Sequence, residues 1–267
     1  MLIGLLAGIA SAVLFGAATV AQAKAVRALG GQSASFVWFA RFAWREPLLL
    51  SVVGAYLAGF VLHAVAIWFT PLYLAQATIS LSLPITAWVA TRRLGERLGP
   101  AGWSAVGSIA AGLVLLVISA GPAGQTLRSA PFVALLWLGV LAIGLVGWLG
   151  LATHPAIAAT VAGLGYAGSA LAVRGVDGYD TLSLLSASAV PAYGLIAFWL
   201  YSLALDRASA ASASGSVIVY QTLVPSLVGV IWLGDRVRDG LGLGVIAGLL
   251  LAVGGSLALS RRGGRVG

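Results

Sequence analysis

Nine apolar runs of about 20 residues follow one another with only short polar breaks, and that pattern leaves this chain few ways to fold. A run of that length covers the roughly 30 Å hydrocarbon core of a bilayer as one helix, at about 1.5 Å per residue. The runs lie at 2–23, 48–69, 72–92, 101–120, 131–151, 155–173, 183–204, 211–233 and 240–260. No polar stretch among the 267 residues reaches domain length, so there is no room for a soluble domain. Charged residues make up 8% of the chain, where a soluble domain carries about a quarter. The expected fold is an all-α polytopic membrane protein with nine transmembrane helices.

The net charge of +8 sits between the apolar runs and not on a patch, so it orients the chain in a membrane and does not point to nucleic acid. With nine spans and the N-terminus outside, the inner segments hold Lys24, Arg27, Arg41, Arg45, Arg92, Arg93, Arg97, Arg207, Arg261, Arg262 and Arg265. The outer segments hold only Arg128, Arg174, Arg236 and Arg238. That bias predicts N-out, C-in. The lone Lys24 among so many arginines, with abundant Ala and Gly, points to a GC-rich bacterial genome and hence to the plasma (inner) membrane.

Two short stretches need separate reading. "AQA" at 21–23 resembles a signal-peptide cleavage site, but no basic residue precedes the run and Lys24 and Arg27 follow it, so 2–23 is read as a span. "SFVWFARFAWREP" at 35–47 is apolar but too short to cross and is interrupted by Arg41, which suits a helix lying in the headgroup layer. A tenth partial span there stays open.

The chain repeats itself. "LGER" at 94–97 and "LGDR" at 233–236 lie 139 residues apart, about half the length, and each follows a span holding a Gln and a Pro. Upstream, "GAATVAQAKAVRALGG" (16–31) matches "GLGYAGSALAVRGVDG" (163–178) without a gap, and His63 falls opposite Tyr201. Spans one to four therefore correspond to spans six to nine, with span five as connector. The division is 1–121, 122–152 and 153–267. Corresponding spans are an odd number apart, so the halves are inserted upside down, the signature of secondary carriers with a site between the halves. Glu96 with Arg97, and Asp235 with Arg236, are read as structural charges of matched hairpins, where acid and base can pair at the interface and Gly95 or Gly234 lets the chain turn.

"PLYLAQATISLSLPITAWVATRRLGERLGPAGWSAVGSIAAGLVLLV" (71–117) resembles the EamA-type repeat of the drug/metabolite transporter superfamily, and "SVIVYQTLVPSLVGVIWLGDRVRDGLGLGVIAGLLLAV" (216–253) resembles its second copy. The common family layout is ten spans in two fives; here each half lacks its second span and a connector is added. That layout, with "FTPLYLAQATISLSLP", brings the chain nearer the NIPA-like magnesium transporters. The resemblance implies a carrier and names no cargo.

Polar groups inside apolar spans are costly unless they are buried in the bundle or line a cavity, and they are the candidates for a substrate pathway. In span three, Gln76, Ser80, Pro84 and Trp88 recur every four residues and so share one face. In span eight Gln221 and Pro225 share that spacing, with Tyr220 beside them. Pro84 and Pro225 each free a carbonyl and bend a helix. His63 and Tyr201, a turn or two from the ends of their spans, and Tyr166 within "GLGYAGSA", complete the set. "ASAASASGS" at 208–216 reads as tight packing or a helix end.

Absences also constrain function. None of the seven acids lies in the middle of a span, which weakens both a divalent-metal site and a carboxylate proton relay. No metal or cofactor is expected. Zero cysteines exclude disulfides and thiol chemistry. The two histidines and scattered acids form no catalytic constellation, so no enzyme is expected. The leading reading is a secondary transporter of a small organic solute working by alternating access. A NIPA-like magnesium carrier is second, and a non-transporting membrane scaffold third. Proton or ion coupling, through His63 for instance, and a homodimer both stay open.

Overall fold

The computed structural model describes residues 1–28, 35–95 and 99–262. The described residues fold into helices: α1 Leu2–Arg27, α2 Phe36–Ala43, α3 Pro47–Phe69, α4 Leu72–Ser80, α5 Ser82–Arg93, α6 Pro100–Ser119, α7 Ala130–Trp148, α8 Pro155–Arg174, α9 Thr181–Arg207, α10 Ala210–Ile231 and α11 Gly242–Arg262. Eight helical segments are long and apolar enough to cross a membrane, α4 and α5 counting as one; in α11 the apolar stretch is the shorter Gly242–Ala258. In hydrocarbon a helix is the way to satisfy every backbone N–H and C=O within one segment. The architecture is that of a multi-pass helical membrane protein.

The surface fits that solvent. Leu135, Leu138, Leu141 and Leu145 are all more than half exposed along α7. Exposed tryptophans mark helix ends: Trp68 on α3, Trp88 on α5, Trp103 on α6, Trp148 closing α7 and Trp232 after α10. Such rings favour the headgroup level. The Arg92 guanidinium lies 5.6 Å above the Trp88 ring, placing a cation at the same level.

Local chemistry starts the helices. Proline, whose missing N–H costs nothing in a first turn, opens α3, α6, α7 and α8. Ser129 accepts from Phe132 N, Ser209 from Ser212 N, and Asp180 from Leu182 N and Ser183 N. At Asp180 desolvation pushes the carboxyl up, but hydrogen bonds from Ser183, with help from Arg128, outweigh it and hold it below the ordinary aspartate value.

Two features differ from the sequence expectation. Span three is not one helix: α4 stops at Ser80 and α5 begins at Ser82, with Leu81 between them. Pro84 has no N–H to give the Ser80 carbonyl and its ring crowds that oxygen, so the break falls one turn upstream of it. Pro225, by contrast, lies inside α10, which runs unbroken. Second, Asp235 does not pair with Arg236, which is exposed; it pairs with Arg174 at the end of α8, at 3.2 Å, with both side chains almost fully buried. A charge buried at the end of a bundle seeks the cation the fold brings to it, and a chain neighbour pointing outward cannot serve. Glu96 and Arg97 lie outside the described residues. The segment 35–47 forms the eight-residue α2, about 12 Å long at 1.5 Å per residue and too short to cross.

Lipid tails are as apolar as side chains, so helices here associate by close packing of small residues. The seam between α6 and α11 makes this plain. A Cβ added to Gly112 would sit 2.6 Å from Gly248 O and 2.7 Å from Ala252 N; one added to Gly255 would sit 2.8 Å from Ala105 O. Elsewhere α1 packs on α3 and α5, and α8 packs on α9 and α10. Helix α7 packs on α8 and α9.

One end of the bundle is closed by an ordered plug. The Asp235 carboxylate accepts from Leu72 N, Gly124 N (2.6 Å) and Arg174. Arg174 also donates to Thr70 O at 3.1 Å and Gly124 O at 3.2 Å. Backbone bonds from Gly121 N to Arg236 O, Gln125 N to Leu233 O and Leu127 N to Arg174 O tie the connector over the same end. Gly95 and Gly234 adopt the same left-handed turn, each at φ 71°, a conformation that glycine takes without a Cβ penalty.

Candidate functional site

Seven helices, α1, α3, α4, α5, α8, α9 and α10, enclose a cavity of about 320 Å³ near mid-depth of the bundle. Helices α2, α6, α7 and α11 contribute nothing to its wall. The volume is in the range that holds a small organic molecule. No Asp, Glu, Lys or Arg lines it.

His63, Gln76, Tyr166, Tyr201 and Gln221 all reach this one wall. His63 is brought in by α3 and Gln76 by α4, and their side chains meet at 3.2 Å between Nε2 atoms. Tyr166 of α8 and Tyr201 of α9 stand edge to face, with centroids 6.4 Å apart. Ser80, Tyr220, Pro84 and Pro225 are not on the wall. Ser80 is fully buried 3.5 Å from Thr222 Oγ1, between α4 and α10. Tyr220 is 38% exposed and faces away from the cavity, since consecutive helical residues diverge by about 100°. The expected shared face of Gln76, Ser80, Pro84 and Trp88 dissolves for a related reason. Each step of four drifts about 40°, the break at Leu81 adds to it, and Trp88 ends half-exposed. Arg236 instead lines a separate depression of about 620 Å³ at the Asp235 end.

The structure adds wall residues that sequence reading missed. Thr19 Oγ1 lies 2.9 Å from Tyr56 Oη and 3.3 Å from Tyr201 Oη, and Tyr201 Oη lies 2.6 Å from Ser214 Oγ. Ser214 in turn donates to Ala210 O at 2.6 Å. This hydroxyl chain joins α3, α1, α9 and α10 across the cavity. Phe15, Phe60 and Phe198 complete the aromatic wall, with Tyr56 between Phe15 (5.5 Å) and Phe198 (5.6 Å). Ser214 lies within the small-residue run 208–216, so part of that run is cavity wall, while Ser209 caps the helix. A third intrahelical proline, Pro191 of α9, also lines the cavity.

Two of the residues lining the cavity each carry a buried polar atom without a hydrogen-bond partner: His63 Nδ1 and Tyr166 Oη. Among the described residues, no three His, Cys, Asp or Glu side chains come together as a metal site would require.

Comparison of the chain with protein-family models, with curated proteins and with solved structures gives no match. What the fold defines is a class: a multi-pass helical membrane protein with an uncharged internal cavity.

Proposed function

We propose that this chain is a secondary carrier for a small organic solute, with the 320 Å³ cavity as its binding site. One observation carries the reading. The wall draws on α1, α3 and α4–α5 and on α8, α9 and α10, the two sets that the repeat relates, while the remaining helices stand outside. A site shared by two halves is what a carrier needs if rocking one half on the other is to expose it to either side. Supporting this, α1 packs on α3 and α5 as α8 packs on α9 and α10, and Gly95 and Gly234 share one turn geometry. The segments 69–72, 120–130, 175–180 and 232–241 meet at one end, as alternating spans require. We read the layout as nine spans in an inverted repeat, akin to the drug/metabolite transporters, in the inner membrane of a bacterium with the Asp235 end outside. The magnesium alternative lacks converging carboxylates among the described residues.

A thermal-stability screen of the purified protein against amino acids, nucleosides, polyamines, cationic drugs, uncharged aromatics and magnesium identifies a cargo class, because a ligand that binds the native state raises the melting point. In proteoliposomes, Gln76→Ala and Gln221→Ala are each expected to cut uptake of that solute about tenfold; the melting point stays near the parent's in Gln221→Ala and falls in Gln76→Ala, which leaves the buried His63 Nε2 without its partner. Parental uptake in both variants removes these amides from the site.

A further inference from the structure

The cavity is not sealed from the side. Leu57 and Leu195 belong to its wall, yet they are 63% and 64% exposed on the outer surface of the bundle. They come from α3 and α9, with Val53, Pro191 and Gly194 beside them on the same wall. Leu57 and Leu195 stand near the middles of α3 (47–69) and α9 (181–207). At 1.5 Å per residue each is roughly 15–20 Å from either end of its helix. A gap at that depth faces hydrocarbon, not water. Meanwhile the Asp235 end is closed by the buried ion pair and its backbone bonds.

The polar atoms inside specify what enters. With the Gln76 amide oriented so that its Nε2 faces the ring, that nitrogen donates to His63 Nε2, an arrangement that puts the imidazole proton on Nδ1. His63 Nδ1–H and the Tyr166 hydroxyl are thus two buried donors, carried by residues of the wall, without an acceptor. Leaving a buried donor unpaired is costly, and such groups are normally satisfied by something. With no charged side chain on the wall, a charged or zwitterionic guest would have no counter-charge there. Phe15, Tyr56, Phe60, Phe198 and Tyr201 offer ring faces and edges.

We propose that the cavity takes an uncharged aromatic solute dissolved in the bilayer, admitted sideways between α3 and α9, whose acceptor oxygen is held by His63 Nδ1 and the Tyr166 hydroxyl. This inference rests on the carrier reading for what happens next, but the binding step stands by itself. Benzophenone is a suitable probe, being neutral, two-ringed and equipped with one carbonyl acceptor; diphenylmethane has the same rings and no acceptor.

The test is a melting-point titration of the full chain in lipid nanodiscs. Benzophenone is expected to stabilise the protein saturably and diphenylmethane far less. Tyr166→Phe removes a hydroxyl that has no partner, so its ligand-free melting point is expected to equal or exceed the parent's. Its affinity for benzophenone is expected to fall about fivefold and its response to diphenylmethane to stay unchanged. Leu57→Trp with Leu195→Trp, both on the lipid-facing surface, is expected to slow the approach to saturation. Equal responses to the two probes, or no effect of Tyr166→Phe, overturn the acceptor assignment. Binding of tryptophan zwitterion in place of benzophenone, weakened by Gln221→Ala, overturns the uncharged cargo and leaves the carrier reading standing. Tyr166-dependent benzophenone binding without transport of any solute upholds the site and sinks the carrier.

Discussion

Asp235→Ala is expected to destabilise the folded protein by about 3–5 kcal/mol, the largest effect of any single substitution considered for this chain. The carboxylate meets Arg174 at 3.2 Å with neither side chain open to solvent, and it also accepts from the backbone of Leu72 and Gly124. Removing it leaves a guanidinium buried with two carbonyl acceptors and no counter-charge, and it orphans two backbone donors. Arg174→Met together with Asp235→Leu replaces the pair by apolar groups and is expected to recover a large part of that loss, because what costs most is the charge left behind. Chemical unfolding in detergent of the parent, the single variant and the double variant decides it. An Asp235→Ala protein that unfolds with the parent would show that the pair does not hold this end shut.

Gly112→Val is expected to cost about 3 kcal/mol, by a different route. Its Cβ would lie 2.6 Å from one backbone atom of α11 and 2.7 Å from another, and backbone cannot rotate out of the way as a side chain can. The only relief is to push α6 off α11, which gives up the close packing that holds helices together where lipid supplies no hydrophobic drive. Gly107→Ala and Gly254→Ala are the internal controls. They lie on the same two helices, nothing lies within 4 Å of the added carbon, and both variants are expected to melt with the parent. A Gly112→Val protein as stable as these controls would mean that the seam is looser than described.

The helices were legible in the sequence because length and apolarity alone decide what can cross a bilayer, and both are local properties. The break at Leu81 was not, although its cause, Pro84, was; a proline announces a disturbance and leaves its position to the packing on either side. The buried acid was legible as structural, but its partner was misread as Arg236, since pairing depends on which elements meet at the bundle end and Arg174 is 61 residues away. His63, Gln76, Tyr166, Tyr201 and Gln221 stood out as polar groups where polar groups are expensive, and they line one cavity. Thr19 and Tyr56 carry the same chemistry into the same cavity. Thr19 went unnoticed because a short hydroxyl in an apolar run also bonds cheaply to its own helix, as Ser226 does to Thr222 O, and Tyr56 because an aromatic ring in such a run serves equally as packing. Tyr220 went the other way, taken for a wall residue by adjacency to Gln221 when one step along a helix turns the side chain to another face.

The most direct measurement uses the absence of cysteine from the chain, which makes any introduced thiol unique. Ser169→Cys exchanges one small side chain on the cavity wall for another. In sealed vesicles a membrane-impermeant maleimide is applied from the inside or from the outside, with the plug and its Arg174–Asp235 pair intact. A carrier that alternates between its two faces is expected to be labelled at this position from both sides. Labelling from one side only, in the presence and absence of cargo alike, contradicts alternating access and leaves a membrane protein with a pocket.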